Sequence, residues 1–305
     1  MNPKNILITG GSGFLGRALI RYWLDAGHTI SVVSRNPQKT QALLGQHVSC
    51  FSKLSEIPKN SRFEAIVNLA GCPIFGGRWT KQRKQQIRSS RVDLTRALLA
   101  WVRELEIKPE VLINGSAIGI YGDQGDTLLT EDSASSAHDF ARQLCLDWEQ
   151  AALEFETLGI RVCLIRTGLV LDHEGGLLGQ MLPAFKLGMG GKLGQGNQWM
   201  AWIHRQDWVA IADRLLMDKG LSGAFNATAP NPVTNAEFTR LLGIHLHRPT
   251  FLHLPALILN SLLGEMASLM LGSQRVIPSR LMENGFEFGF QDLESALRQI
   301  LENRT

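Results

Sequence analysis

The sequence predicts a doubly wound α/β fold, in which a parallel sheet is covered by helices on both faces and a smaller, mainly helical region is attached. Three observations carry this. Apolar runs alternate with amphipathic segments through the first half, a glycine-rich turn follows the first run and opens a helix, and the composition suits a large core. The chain has 305 residues, 44% hydrophobic and 19% charged, with 30 Gly and 11 Pro scattered rather than tandem, which excludes disordered, collagen-like and disulfide-scaffold classes.

The apolar runs are 6–9, 30–34, 65–70, 111–116 and 162–167, each of strand length and far enough apart for a crossover helix. Between 168 and 196 the sequence becomes glycine-rich and predicts a loop-rich excursion. Strand and helix patterns resume at 202–204, 207–217 and 224–227, so the chain is expected to return to the first domain. From Pro230 onward it reads as mainly helical, with Asn235 capping one helix, Pro255 starting another and Asp292 capping the last. Residues 1–170 and 203–229 are therefore assigned to a sheet domain, and 171–202 and 230–305 to a smaller substrate-side region.

The first run leads into Thr9-Gly10-Gly11-Ser12-Gly13-Phe14-Leu15-Gly16, with no break before an amphipathic helix. Strand, glycine turn and helix together make a phosphate-binding turn of the Rossmann kind. Gly10 permits the tight exit from the strand, Gly13 lets backbone approach a pyrophosphate, and Gly16 lets the helix pack closely on the sheet. Phe14 and Leu15 open the helix at whose N-terminus the phosphates would sit. The second strand should end beside an adenosine ribose, where NAD-selective sites place a carboxylate. Ser34-Arg35 stands there instead, and a guanidinium can bind a 2′-phosphate, so NADP(H) is the expected cofactor. Asn68-Leu69-Ala70-Gly71 closes another strand with small residues that would let a nucleotide lie against backbone.

Net charge is +3, too small to name a partner. From Arg78 to Arg91 there are six basic residues and no acidic one, and Lys81, Lys84, Arg88 and Arg91 follow helical spacing. A solvated helix face accounts for the stripe best, recognition of a phosphorylated substrate comes next, and nucleic acid last, because no aromatic is interleaved between Lys81 and Arg91 to stack bases. The four cysteines have neither C-x-x-C spacing nor companion histidines, so no metal site is expected. The N-terminal sequence lacks a signal-peptide core, and polar interruptions in 254–271 favour a packed helix over a membrane span, giving a cytoplasmic expectation. That helix could bury itself in its own core or at a subunit interface, so monomer and homodimer both stand.

With these residues in view, the chain resembles the extended short-chain dehydrogenases/reductases, the superfamily of NAD-dependent sugar-nucleotide epimerases and dehydratases, nearly end to end. More narrowly it is similar to the YfcH-type epimerase family proteins, through Asn68 to Gly71, Ser116 to Gly122, Leu146-Asp147-Trp148-Glu149, Arg166 to Leu171, Met181-Leu182-Pro183, Trp202-Ile203-His204 with Asp207, and Gly272 to Pro278. The resemblance implies an NADP-binding cytoplasmic protein whose cofactor contacts include Ser34, Arg35, Leu69, Ala70, Arg91 and Val170.

In that superfamily the chemistry rests on a serine or threonine after the fifth strand and a Tyr-x-x-x-Lys pair on the next helix. Ser116 fits the first role and would orient a substrate oxygen. The helix reads Phe140-Ala141-Arg142-Gln143-Leu144, and neither of the two tyrosines, Tyr22 and Tyr121, has a lysine four residues on. Losing a general acid/base costs about 3–5 kcal/mol of barrier. Tyr121, five residues after Ser116, is the candidate proton carrier, against a packed aromatic in a turn. His204 and Asp207 read first as a structural histidine and a helix cap. The expected function is an NADP-dependent oxidoreductase or epimerase-like enzyme on a small polar, phosphorylated or nucleotide-linked substrate. The missing pair keeps a second reading, a non-catalytic NADP(H)-binding sensor or regulatory protein.

Overall fold

The computed structural model describes residues 3–135 and 137–302. In chain order its elements begin with β1 (Asn5–Thr9), α1 (Phe14–Asp25), β2 (Thr29–Val33), α2 (Pro37–Leu44), β3 (Val48–Phe51), β4 (Ala65–Asn68), α3 (Lys81–Arg88), α4 (Leu94–Glu104), β5 (Val111–Ala117), a two-residue β6 (Leu128–Leu129) and α5 (Phe140–Leu153). They continue with β7 (Arg161–Thr167), β8 (Leu169–Asp172), α6 (Gly176–Lys186), β9 (Gly191–Leu193), β10 (Trp199–Met200), β11 (Trp202–His204), α7 (Arg205–Met217), β12 (Gly223–Ala227), α8 (Asn235–Leu246) and α9 (Ala256–Leu263).

The main sheet has seven parallel strands in the order β12-β7-β5-β4-β1-β2-β3. The chain winds outward from β1 to β2 and β3, then crosses back to β4, so the topological switch point lies between β1 and β4. In such sheets a ligand cleft opens at the carboxyl ends of those two strands. Alternation along the strands feeds two cores. Ile6, Ile8 and Val32 face Trp23 of α1 and Trp208 of α7, while Leu7, Ile66 and Leu112 face α4 and the end of α5. Each such fully buried side chain contributes roughly 1.5–3 kcal/mol. A third core joins α6, β11, α8 and the C-terminal helix Leu293–Glu302 through Leu178, Phe185, Trp202, Phe238 and Leu297.

Four local expectations need correction. β3 lies outside the strands read from the sequence, because four residues carry too short an alternation; pairing of Val48 with Ile30 on the sheet edge holds it. The glycine-rich stretch is not mainly loop, since it contains β8, α6 and β9. Leu177, Leu178, Met181, Leu182 and Phe185 recur at helical spacing between its glycines, and Leu178, Leu182 and Phe185 are buried. Asn235 does not cap α8: Thr234 accepts the Glu237 N–H, and Asn235 instead accepts the Leu193 N–H at 2.8 Å, tying α8 to β9. The stretch 255–271 is not one packed helix, because Gly264, at φ +59°, breaks it after α9. Leu259 is buried there, but Leu257 is 80% exposed. Asp292 does accept the Ser295 N–H at the start of the last helix, and Pro255 precedes α9 as expected. No helix among the described residues is long and apolar enough to cross a membrane.

The basic stripe is not a free solvated face, because most of its side chains are paired within the chain. Arg78 donates to the Leu262 and Ser261 carbonyls, Arg83 to that of Pro73, and Arg91 to that of Cys72. Lys84 pairs with Glu265, and Arg88 with Asp147 at 3.0 Å. The stripe staples loop 72–79 and the C-terminal segment to the sheet domain. Lys81 is left exposed.

Candidate active site

At the end of the cleft beside β1 and β2, β1 delivers the glycine turn. Gly10 sits at φ +76°, and a Cβ there would come within 2.6 Å of the Leu69 carbonyl carbon and oxygen and 2.7 Å of the Ala70 nitrogen. Only glycine combines that backbone conformation with that approach. The structure thus brings together Gly10, Leu69 and Ala70. A Cβ on Gly16 would land on the Gly10 carbonyl oxygen, so α1 packs against the turn itself. Gly13 is the N-cap of α1 and supplies no side-chain cap, and Ser12 and Gly13 are exposed. Leu15 packs partly into the core behind.

Phe14 does something the sequence did not reveal. Its ring lies under Gly175, where a Cβ would come within 2.7 Å, and beneath the Arg205 guanidinium at 5.3 Å. Arg205 in turn holds Asp172 at 2.9 Å and pairs with Glu174 at 2.6 Å. The turn after β8 is thereby latched over the start of α1. Only the paired glycines hinted at it. At the end of β2, Ser34 is half-buried and shares a 2.7 Å hydrogen bond with Thr40, while Arg35 is exposed and has no hydrogen-bond partner among the described residues.

Beneath the crossing of β1 and β4 lies a buried polar chain. Thr9 donates to Asn68 at 2.6 Å, Asn68 donates to Thr95 and Asn114 at 2.8 and 2.6 Å, and Trp148 donates to Thr95 at 3.1 Å. It fixes the strand ends that carry the cleft. Further along, Arg91 occupies a π-helical turn, Ser89–Asp93, with its guanidinium against Gly71, 5.4 Å from the Trp148 ring centroid. Its hydrogen bonds among the described residues all leave from Nη1. Val170 is buried in the core beside β11, and a Cβ on Gly176 would meet its carbonyl.

The end of the cleft beside β5 and β7 is built differently. Ser116 is 4% exposed and donates to Glu149 Oε1 at 2.6 Å. Arg166 grips the same carboxylate in a bidentate pair at 2.9 and 3.0 Å and donates through Nη1 to the Tyr121 oxygen at 3.0 Å. The Tyr121 hydroxyl donates to Asn226 at 2.7 Å, and that side chain is 1% exposed. Structure therefore does bring Ser116 and Tyr121 together, but as members of one inward-facing network. Burial pushes the Tyr121 hydroxyl above its ordinary pKa, against the pull of Arg166, whereas a proton carrier needs a lowered value. The geometry is that of the packed aromatic rather than of an acid facing a ligand. Arg166 and Glu149, the centre of the network, were visible in the sequence only as members of the resembling segments.

On α5 the ridge above the end of β5 carries Ala141 and Cys145, one position along from Phe140 and Leu144. A Cβ on Gly119 would lie 3.6 Å from the Ala141 Cβ and 3.7 Å from the Cys145 Sγ. Phe140 turns instead onto Trp79, ring centroids 5.0 Å apart. The absence of a tyrosine–lysine pair survives this shift in register. Alanine has no proton to give, and burial pushes the Cys145 thiol up to about 12.

On the substrate side the structural reading of His204 holds and that of Asp207 needs correction. His204 accepts the Gln206 N–H at 3.1 Å as the cap of α7, and its other ring nitrogen meets Gln299 at 2.9 Å. Asp207 is not a cap: its two oxygens take the Gly289 and Phe290 N–H groups at 2.9 and 3.0 Å, and so tether the C-terminal loop. No cluster of metal-binding side chains occurs among the described residues.

The profile of the NAD dependent epimerase/dehydratase family matches residues 6–227. The chain belongs to that family. Residues 254–300 match a domain of unknown function, DUF1731. Among relatives, the epimerase family protein YfhF of Bacillus subtilis is 38% identical over 98% of this chain and 99% of its own length. The crystal structure of human epimerase family protein SDR39U1 (isoform 2) with NADPH superposes with a TM-score of 0.87 at 31% identity, covering 98% of this chain and 99% of that one. A UDP-glucuronic acid 4-epimerase from Bacillus cereus, in complex with UDP-glucuronic acid and NAD, shares the fold at a TM-score of 0.78 and 16% identity, with 98% of both chains covered. These agree with the extended short-chain dehydrogenase architecture expected for this family member.

Proposed function

We propose that the protein binds NADP(H) across the carboxyl ends of β1, β2, β4 and β5 and supports hydride transfer to or from a small molecule, as an atypical oxidoreductase or epimerase-like enzyme. The observation that carries this is the uncapped start of α1. Its first N–H groups face a turn held open by Gly10 and Gly13, so a pyrophosphate would find unsatisfied donors and the positive end of the helix. The residues fit such a group. Exposed, unpaired Arg35 stands where a ribose 2′-phosphate would lie, and supports NADP(H) over NAD(H). The NADPH in the SDR39U1 crystal supports the same choice.

When bound, the cofactor supplies or accepts a hydride at its nicotinamide carbon. The chain holds the phosphates on α1, covers them with the turn latched by Arg205 and Phe14, and positions the far ribose beside Arg91. Arg91 keeps Nε and Nη2 free to donate there. Reduction of a carbonyl would add hydride to carbon and a proton to oxygen. With Ala141 and Cys145 on the facing ridge and Tyr121 committed to Arg166 and Asn226, that proton is left to water. Calorimetric titration with NADPH and NADH tests the reading: NADPH is expected to bind at least tenfold more tightly, and binding of neither would overturn it. The same bare ridge favours a second reading, an NADP(H)-binding sensor, which predicts tight binding and no turnover of any carbonyl or alcohol.

A further inference from the structure

Next to the nicotinamide end the structure holds a cavity of about 390 Å³, bounded by α6, β9, β10 and the segment 269–274. Ile118 and Leu169 form its wall on the cofactor side, and Met181, Phe185, Trp199 and Leu254 enclose the rest. None of its lining residues is an Asp, Glu, Lys or Arg among the described residues. Its few polar side chains spend their donors on the wall. Gln198 donates to the Leu193 and Met270 carbonyls at 3.1 and 3.3 Å, Gln274 to those of Ile118 and Gly122 at 3.0 and 3.1 Å, and Trp199 to Asp126 at 2.7 Å. His253 meets the Gly194 carbonyl at 2.6 Å.

A second cavity of about 590 Å³ adjoins it through Leu269, Gly272 and Gln274. It also lacks a lining cation, and it carries Asp123, Asp139 and Glu265. Arg275 stacks on the Trp199 ring at 4.5 Å but lines neither cavity. A sugar nucleotide brings a diphosphate with two negative charges. Placing it against apolar walls and carboxylates, with no guanidinium or ammonium to receive it, is strongly unfavourable. The apolar wall also continues outward: Leu252 and Leu254 line the cavity and are exposed, beside Phe251, which is 82% exposed. This opening suits a ligand whose body is apolar throughout.

We propose that the substrate is an uncharged, largely apolar molecule presenting one carbonyl or alcohol group to the nicotinamide, and not a nucleotide-linked sugar. This rests on the dinucleotide reading of the neighbouring cleft. The test titrates farnesol, and separately UDP-glucose, into the protein saturated with NADP⁺, following tryptophan fluorescence and calorimetry. Farnesol is expected to bind saturably, and UDP-glucose not to bind at millimolar concentration. Met181→Arg, which places a cation in the cavity, should weaken farnesol at least tenfold while NADP⁺ binding is kept. Met181→Gln gives a smaller loss in the same direction, and melting curves with NADP⁺ identify any variant that does not fold. Saturable UDP-glucose binding would overturn the proposal. So would farnesol binding that ignores both substitutions, or no farnesol binding by protein that holds NADP⁺. Failure to bind NADP⁺ at all would instead sink the dinucleotide reading.

Discussion

The two ends of one cleft handle their polar groups in opposite ways. At the proposed adenosine end, the backbone N–H groups opening α1 have no side-chain cap and Arg35 is exposed without a partner among the described residues. At the nicotinamide end, Ser116, Glu149, Arg166, Tyr121 and Asn226 satisfy one another and bury the result. Exposed donors are satisfied by water until a ligand replaces it, whereas the closed network satisfies its buried groups with no ligand. The lesson is that the serine and tyrosine which look catalytic in the sequence are committed to hydrogen bonds within the chain, whereas the glycine turn is left without a side-chain cap.

Arg166→Met should break the closed end most severely. It leaves the Glu149 carboxylate buried without its partner, at a cost of about 3–5 kcal/mol in urea unfolding. NADPH affinity of the molecules that remain folded should hardly change; a large loss of affinity would show that the two ends are not independent. Gly10→Ala reverses the pattern. A Cβ 2.6 Å from Leu69, at φ +76°, should cost about 2–3 kcal/mol and abolish tight NADPH binding by calorimetry. Arg35→Ala sharpens the comparison at a single charge, weakening NADPH about tenfold or more while NADH is unaffected. Equal losses for the two nucleotides would remove Arg35 from the 2′-phosphate.

Tyr121→Phe is milder. It removes one hydroxyl; Arg166 keeps Glu149 and the Glu131 carbonyl, but the buried Asn226 Oδ1 loses its donor, so about 1–3 kcal/mol of stability is expected to go. Turnover of any substrate found should survive it, and a hundredfold fall in kcat without loss of stability would return Tyr121 to the proton-carrier role. The smallest effect concerns pH. Burial holds the His204 pKa below its ordinary value, despite the Gln299 hydrogen bond and Asp172 nearby. The unfolded chain therefore binds more protons than the native one as pH falls through about 6.5, and stability is lost in that direction. Urea midpoints at pH 8 and pH 5.5 should differ, and His204→Gln should shrink the difference.

How much of this was legible in the sequence depended on whether the signal was local. The parallel sheet was legible, because each strand except β3 carried its own apolar run. So was the glycine turn: Gly13 and Gly16 answer to Gly10 within seven residues of chain, and the positive φ of Gly10 is itself local, although its close neighbour Leu69 is not. α6 was obscured by glycines at its borders, although its apolar spacing was present. The basic stripe was read as a solvated face because its carbonyl partners, at 73, 261 and 262, are distant in sequence or outside the helix.

By itself, then, the sequence determined the doubly wound sheet, the glycine turn between β1 and α1 and the absence of a tyrosine–lysine pair, since propensity, spacing and composition act over short stretches. Tertiary structure alone decided which side chains face the cleft. It turned Ala141 and Cys145 toward the end of β5, locked Ser116 and Tyr121 onto Glu149, Arg166 and Asn226, and assembled an uncharged cavity from residues between 75 and 274. Those outcomes follow from hydrogen bonds and contacts between segments far apart in sequence, and one residue of helical phase, about 100°, separates a residue that meets a ligand from one that meets the core.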